Sequence, residues 1–354
     1  MSVTARIARF CQMFDLRLPV LMAPMAGSSP PALSAAVAEA GGMGACGALS
    51  LTPEGIADWV ARMRQMSPGP FQINLWIPDA PTPRDPAAEG EQAVFLGSFG
   101  PVPVLPQGPL LPDFDAQFAA ILHARPKAAS SIMGLFSPDQ VAALKAAGIL
   151  WIATATTLAE GRAAQAAGAD AVIAQGAEAG GHRGGFTPAD AARGAIGTFA
   201  LVPALADALH IPVIAAGGIG DGRTLAAALT LGASAAVIGT ALLRTPEAAI
   251  APVWEQALAG ATADDTLVTP AFSGRPARAL RNIYTEATLA PGAPKPAPYP
   301  IQRALTDPMR RQALELGKPD HLYALAGQGV ALARAVPAQT LVEDLWRDAR
   351  ALLR

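Results

Sequence analysis

The chain has few cysteines, few charges and few aromatic side chains. Cys11 and Cys46 are its two cysteines in 354 residues, too few for a disulfide framework or a cysteine-based zinc site. We therefore expect free thiols, with Cys46 buried, in a cytoplasmic protein. Charged residues make up 15% of the chain and the formal net charge is -2, which excludes the basic surface of a nucleic-acid-binding protein.

Long uninterrupted apolar runs are also missing. No window reaches the ~18 apolar residues that a membrane-spanning helix needs, so we expect no membrane span. Residues 1–14 carry Arg6 and Arg9 without an apolar core, which predicts a short capping helix rather than a secretory signal. Hydrophobic residues nevertheless make up 51% of the chain, enough to bury a large core and to exclude global disorder.

Short apolar runs alternate with alanine-rich segments along most of the chain. The predicted strands cover residues 19–25, 42–49, 71–77, 128–135, 150–155, 171–174, 212–216 and 235–238. The predicted helices cover residues 32–40, 53–66, 113–124, 138–147, 157–167, 221–231 and 246–259. The strands are apolar on both faces, which is typical of parallel strands covered by helices.

A closed barrel and an open doubly wound sheet both fit this alternation. Eight units in about 240 residues match a (β/α)8 TIM barrel, and no G-x-G-x-x-G motif opens the first helix, as a dinucleotide-binding domain would require. We therefore predict an α/β fold, a TIM barrel over residues 1–260 with a C-terminal helical extension. A Pro-rich connector and helices over residues 261–354 are expected to pack on the barrel.

Two segments interrupt the alternation. A long excursion over residues 78–125 follows the third strand, and its Pro- and Gly-rich part, residues 78–112, fits either a lid over the site or a solvated surface loop. Residues 261–300 contain many prolines near their end, which predicts extended connecting chain. Residues 301–354 are expected to be helical again.

The active site of a TIM barrel lies at the carboxyl ends of its strands. The first strand ends in Ala23, Pro24 and Met25, a stretch against which a flat ring could lie close to the main chain. The third strand carries Asn74, whose amide offers both a donor and an acceptor to a phosphate or a ring edge.

The loop after the sixth strand is the most informative stretch. It begins at Gln175 and contains Gly180, Gly181 and His182, one of four histidines in the chain. Glycines let the backbone fold around a ligand, and an imidazole exchanges protons near neutral pH. We therefore interpret His182 as a candidate base. Glu178 and His182 lack a third ligand at suitable spacing, so we expect no metal site.

The last two predicted strands end in glycine motifs. Gly217 and Gly218 follow the seventh strand, and Gly239 and Thr240 follow the eighth. Loops at these two strands form the usual phosphate site of the fold, where main-chain amides and helix N-termini favour an anion. These residues therefore predict a phosphate site without identifying which phosphate.

Several segments together resemble the nitronate monooxygenase family, formerly called 2-nitropropane dioxygenases. The resembling segments are PVLMAPMAG (19–27), AQGAEAGGHRG (174–184), PVIAAGGIGDG (212–222), AAVIGTALLRT (235–245), FSGRPARALRN (272–282) and YALAGQG (323–329). They cover nearly the whole chain. The histidine-containing motif is specific, whereas the two glycine motifs fit other barrels that bind flavin mononucleotide (FMN).

The resemblance implies an FMN-dependent barrel that oxidises alkyl nitronates, or nitroalkanes, with O2 to carbonyl compounds and nitrite. It implies that His182 is the catalytic base. The charge composition and the lack of a long apolar run predict no nucleic-acid or membrane partner, and the oligomeric state, including a homodimer, stays open. The implied cofactor contacts are Ala23, Pro24, Met25, Asn74, Gln175, Gly180, Gly181, Gly217, Gly218, Val237, Ile238, Gly239, Thr240 and Gln328. Relatives often carry Trp before the final Gly-Gln, where this chain has Ala326, which weakens the assignment of Gln328.

Two other functions stay open at this stage. One is an NAD(P)H-dependent FMN reductase of quinones or enoyl thioesters on the same scaffold. The other is a barrel of a different class that binds a sugar phosphate without redox chemistry.

Overall fold

The computed structural model describes residues 1–81, 83–193 and 195–353. Its strands are β1 Val20–Met22, β2 Gly44–Gly47, β3 Phe71–Trp76, β4 Ala128–Ile132, β5 Leu150–Ala155, β6 Ala171–Gln175, β7 Gly181–His182, β8 Val213–Ala216, β9 Ala235–Ile238, β10 Thr266–Thr269 and β11 Ala277–Leu280. Eight of them form one parallel sheet in the order β1-β9-β8-β6-β5-β4-β3-β2. A parallel bridge between Leu21 and Met43 joins its two ends. This arrangement confirms the predicted (β/α)8 barrel.

Helices cover the outside of the barrel. They are α1 Val3–Phe14, α2 Pro31–Glu39, α3 Pro53–Met66, α4 Pro86–Leu96, α5 Phe114–Ala124, α6 Pro138–Ala146, α7 Leu158–Ala166, α8 Pro188–Ala192, α9 Thr198–Ala208, α10 Gly222–Thr230, α11 Pro252–Ala259, α12 Ile283–Ala287, α13 Ile301–Leu305, α14 Asp307–Glu315 and α15 Ala338–Leu352. Short 3-10 turns lie at Thr240–Leu242, Pro246–Ala248, Ala263–Asp265, Pro319–His321 and Val330–Leu332. No helix among the described residues is long and apolar enough to cross a membrane.

Local capping explains where several of these helices begin. The side chains of Ser137, Thr157 and Asp221 each accept a hydrogen bond from the backbone amide three residues later, at the start of α6, α7 and α10. In each case the side chain of that third residue accepts a hydrogen bond from the backbone amide of the capping residue, which completes a capping box. Because each cap follows a barrel strand closely, these residues also set the length of the loops around the candidate site.

The core is mainly apolar on both faces of the barrel strands, as the sequence predicts, with buried polar side chains on β3 to β6 such as Gln72, Ser130 and Thr154. Every residue of β1 and β9 is buried, and the inner layers are filled mainly by Ala, Val and Ile. Cys11 and Cys46 are free and buried, and burial raises the pKa of the Cys11 thiol to about 11. Burial raises the pKa of Cys46 further, so neither thiol is ionised at neutral pH.

The excursion after β3 contains a helix that the sequence analysis did not predict. Glu89 in α4 is almost fully buried and pairs with Arg84, while the Gln92 amide donates to the carbonyl of Pro294 at 2.7 Å. Leu96 is buried against the C-terminal extension. Residues 86–96 are therefore folded structure packed against the C-terminal extension, so the interpretation as a solvated loop is wrong for them.

Two further expectations need correction. Residues 261–300, expected to be extended, contain the antiparallel pair β10 and β11, and β11 also pairs with β7 in the loop after the sixth barrel strand. Helices α8 and α9, which follow that loop, were not predicted. The two strands in residues 261–300 are only four residues long, and the many prolines of the segment outweighed their weak alternation of apolar and polar residues in the prediction.

The last helix packs on the outside of the barrel, between α10 and α2. Leu341, Val342 and Leu345 form its buried face, and α15 packs against α10 and α2. A Cβ built on Gly222 would lie 2.4 Å from the Cβ of Asp348, so only glycine allows this close approach. The extension is thus packed tightly on the barrel helices.

Substitutions in α15 test this packing. Leu345→Ala removes a side chain that is 2% exposed, whereas Leu352→Ala removes one that is 59% exposed. We expect the first to lower the free energy of unfolding by about 2–5 kcal/mol and the second by about 0.5 kcal/mol or less. Urea unfolding followed by circular dichroism compares them. Equal effects would show that α15 is not docked on the barrel.

Candidate active site

A cavity of about 560 Å³ lies at the carboxyl ends of the barrel strands. Most of the predicted site residues line it together: Ala23, Pro24, Met25, Asn74, Gln175, Gly180, Gly181, His182, Gly217, Gly218, Val237, Gly239 and Thr240. Its volume and mostly apolar wall are typical of a small-molecule or cofactor site. The structure therefore brings residues from the ends of five barrel strands to one place.

Two predicted site residues lie elsewhere. Ile238 is fully buried within β9, where its carbonyl accepts a hydrogen bond from the Ala23 amide at 2.8 Å. Gln328 is exposed and lines a second, smaller cavity on the outer side of the Gly217–Gly218 loop. Side chains alternate along a strand, so a run of four neighbours cannot all face one cavity.

The ends of β8 and β9 leave main-chain amides without acceptors. Gly217 and Gly218 have φ of +111° and +73°, conformations that glycine adopts without strain. Among the described residues, the amides of Gly218, Gly239 and Thr240 donate no hydrogen bond. Amides that border a cavity without an acceptor favour an anionic ligand such as a phosphate.

The structure corrects one part of the predicted phosphate site. The N-terminus of α10 is capped by its own Asp221, whose carboxylate accepts from the Thr224 amide at 2.9 Å. A carboxylate already occupies the position at which an anion would meet that helix. The candidate anion site is therefore formed by the loop amides rather than by the helix dipole that the sequence suggested.

The loop after β6 is held by side chains on both sides. The side-chain nitrogen of Gln175 donates to the His182 carbonyl at 3.0 Å, and its side-chain oxygen accepts from the backbone amide of Gly184 at 2.8 Å. A Cβ on Gly180 would lie 2.5 Å from the Gly327 amide, so this glycine permits close contact with the C-terminal extension. Gln175 therefore shapes the loop, in addition to lining the cavity.

Asn74 keeps part of its side chain available. Its amide nitrogen donates to the hydroxyl of Ser130 at 3.1 Å. This bond orients the carboxamide, and its oxygen accepts no hydrogen bond from another described residue. An oriented acceptor at the cavity wall suits a ring N–H or a ligand hydroxyl.

His182 is bound at one nitrogen and enclosed by aromatic rings. Its Nε2 lies 2.8 Å from the Ser273 hydroxyl and 3.4 Å from the Tyr323 hydroxyl. The Trp76 indole meets the imidazole edge-on, with ring centroids 4.6 Å apart. The backbone of His182 also pairs with Ala277 in β11, so the imidazole is fixed from the barrel and from the extension.

The surroundings of His182 keep the imidazole neutral. Burial, and after it the positive charges of Arg275, Arg303 and Arg310 in that order of size, together lower its pKa from 6.5 to about 3. A group with a lowered pKa stays unprotonated as the pH falls through 6.5. At neutral pH the imidazole is therefore a proton acceptor and not a cation.

The roof of the cavity comes from residues that sequence reasoning missed. Arg303, Arg310 and Tyr323 line the cavity from above, whereas no described residue of the excursion 78–112 does so, which removes the basis of the lid interpretation. Arg310 pairs with Asp307 at 3.2 Å. Arg303 donates to the Ser50 hydroxyl at 3.0 Å and pairs with no carboxylate among the described residues.

Signals for two of the missed residues were present in the sequence. Ser273 and Tyr323 lie within the resembling segments 272–282 and 323–329. The two arginines lie outside every resembling segment, and nothing local marks them as cavity residues. They reach the site because α13 and α14 fold back over the barrel.

Glu178 has a structural role at the start of α9. Its carboxylate accepts from the Thr198 amide at 2.9 Å and from the Thr198 hydroxyl at 2.7 Å, and it thereby caps α9. Within the described ranges, no cluster of three or more metal-binding side chains occurs.

Comparison with known proteins identifies the family. The sequence profile of the nitronate monooxygenase family matches residues 8–348. A nitronate monooxygenase from Paraburkholderia phytofirmans is 41% identical over 337 residues, covering 93% of this chain and 92% of the relative.

Solved structures agree with this comparison. A nitroalkane oxidase from Streptomyces ansochromogenes superposes with a TM-score of 0.87 at 38% identity, covering 97% of this chain and 100% of the other. FabK from Thermotoga maritima superposes with a TM-score of 0.76 at 27% identity, covering 98% and 96%. The match of fold, site and sequence over almost the full length shows that this chain belongs to the nitronate monooxygenase family.

Proposed function

We propose that this chain uses FMN to oxidise alkyl nitronates, and nitroalkanes after removal of a proton, with O2 to carbonyl compounds and nitrite. Membership of the family makes it a flavin-dependent monooxygenase. The observation that carries the proposal is the neutral imidazole of His182, enclosed in a cavity that is lined by arginines and bordered by free amides. The free thiols of Cys11 and Cys46 support a cytoplasmic location, and a homodimer stays open.

The residues around the cavity fit an FMN. The amides of Gly218, Gly239 and Thr240 would hold the phosphate, and the Thr240 hydroxyl, which accepts from the Gly327 amide at 2.9 Å, retains a proton to donate. The main chain at Ala23–Met25 would lie against the ring. A Cβ on Gly239 would come within 3.1 Å of the Ala23 Cβ, so the narrow wall depends on glycine there.

The flavin, when bound, supplies electron transfer between the nitronate and O2. The chain supplies position and charge. Arg303 has a guanidinium without a counter-charge among the described residues, and its field favours an anionic nitronate at the cavity. A neutral nitroalkane lacks that charge, and we propose that His182 removes its α-proton before oxidation.

A valine at Gly218 tests the phosphate site. A β-branched residue at positive φ is strained, so the loop that presents the free Gly218 amide would have to shift; a Cβ there would also lie 3.5 Å from the Glu178 Cβ. We expect FMN to bind roughly 10-fold or more weakly, equivalent to at least ~1.4 kcal/mol, as measured by quenching of flavin fluorescence on titration of the apoprotein. Gly108→Val is the matched control, because Gly108 also has positive φ, +69°, but lies in open space away from the cavity. Equal FMN affinity in both variants would contradict the assignment.

Replacing His182 with Asn tests the base. We expect FMN to stay bound and nitroalkane oxidation to fall by roughly 10²–10⁴-fold, the usual contribution of a general base. Oxidation of a nitronate prepared in alkali should fall much less, because its proton is already gone. Steady-state nitrite release with both substrates measures the two effects. Wild-type turnover of the nitroalkane would refute the role of His182.

The lowered pKa of His182 also predicts a pH profile. Since the base form is required and persists below pH 6.5, kcat/KM for a nitroalkane should stay level between about pH 8 and pH 5. Activity should decline only in more acidic solution, as the pH approaches the lowered value. An ascending limb centred at or above pH 6.5 would show that the imidazole is not depressed in the working enzyme.

A further inference from the structure

An ion pair between a fully buried arginine and a partly buried aspartate lies close to the loop that carries His182. The Arg275 side chain has no exposed surface, and that of Asp79 is 15% exposed. One guanidinium nitrogen of Arg275 bonds both carboxylate oxygens of Asp79, and the other donates to the Gly185 carbonyl. A buried cation without a counter-charge is strongly unfavourable, so Asp79 is needed wherever Arg275 is buried.

The pair is connected to the imidazole through the main chain of Arg275. The Ser273 hydroxyl donates to the Arg275 carbonyl at 3.0 Å and accepts from the Arg275 amide at 3.3 Å. The same hydroxyl lies 2.8 Å from Nε2 of His182. Any shift of Arg275 therefore moves the group that orients the imidazole.

The pair also ties down the two segments that flank the imidazole. Gly185 lies three residues after His182 in the same loop, and Asp79 lies three residues after Trp76, whose ring contacts the imidazole edge-on. Arg275 thus joins the loop after β6 to the chain after β3. Cross-links of this kind help to hold side chains on separate loops in a fixed geometry.

Charge adds a second connection. The groups that act electrostatically on the imidazole are the cations Arg275, Arg303 and Arg310. Tyr323 faces it as a neutral hydroxyl. Asp79 is the carboxylate that offsets the first of these cations, because it bonds Arg275 directly. Loss of that carboxylate would leave the imidazole facing an uncompensated charge and would weaken it as a proton acceptor.

We propose that Asp79 and Arg275 are positioning residues for proton abstraction: the pair orients His182 through Ser273, and Asp79 offsets the charge of the buried Arg275 guanidinium. The inference rests on the proposed role of His182 as the base. It gives the first residues of the excursion after β3 a function in the reaction, although they do not line the cavity.

The substitution Asp79→Asn tests the proposal, because it keeps the shape and removes the charge. We expect kcat/KM for a nitroalkane to fall about 10-fold, part of the ~10²–10⁴-fold contribution of a base. Oxidation of a preformed nitronate should stay within about 2-fold of wild type, since that substrate needs no base. If the role of Asp79 were merely structural, the substitution would lower the oxidation of the nitroalkane and of the nitronate equally.

A second variant approaches the pair from its other side. Arg275→Lys keeps the charge but replaces the planar fork by a single ammonium, which cannot bond Asp79 and the Gly185 carbonyl in the same geometry. This variant should show the same selective loss of nitroalkane oxidation. If the Asp79→Asn protein does not fold, the Arg275→Lys variant alone tests whether the ion pair positions His182. Circular dichroism and nitronate turnover report folding in each case.

The matched control is Glu89→Gln. Glu89 is a buried carboxylate of the same excursion, paired with Arg84 and without a contact to the His182 wall. This variant should keep the wild-type ratio of nitroalkane to nitronate activity. The positioning role would be overturned if the Asp79 and Arg275 variants kept wild-type activity with both substrates, or lost activity equally with both. If His182→Asn itself left nitroalkane oxidation intact, the proposed base would fail first.

Discussion

The arrangement of the site depends on one constraint: an imidazole held without charge among cations. His182 lies between the barrel, which supplies its loop, and the C-terminal extension, which supplies Ser273 and Tyr323. Enclosure removes water and lowers its pKa, and the arginines of the roof strengthen that effect. A neutral base and a positive field then occur in one cavity, which suits a reaction that begins with loss of a proton and continues with an anion.

Much of the barrel could be predicted from the sequence, because strand, turn and helix follow one another within short distances. The apolar runs mark the strands, and Ser137, Thr157 and Asp221 mark helix starts through local capping. The strand-end residues of the site were predictable for the same reason. A (β/α)8 fold brings the ends of its strands together, so local motifs at Asn74, His182 and Gly218 meet in space.

The remaining features depend on contacts between distant segments. Arg303 and Arg310 reach the cavity because α13 and α14 fold back over it, and Asp79 meets Arg275 across 196 positions of sequence. No local pattern marks such residues. Ile238 lies outside the lining of the main cavity because strand side chains alternate, and Gln328 lines a different cavity; their contacts with FMN stay predictions. The boundary between barrel and extension near residue 260 stays a prediction, since β7 and β11 pair across it.

Anaerobic reduction of the purified flavoprotein tests the central claim most directly, namely that this cavity delivers electrons from a nitronate to a bound flavin. The yellow protein is mixed without O2 with a nitronate and, separately, with NADH and NADPH, and the flavin absorbance is followed. The account predicts rapid bleaching by the nitronate and none by either nicotinamide. Rapid bleaching by a nicotinamide with no response to the nitronate would contradict it and would assign the chain to reductase chemistry.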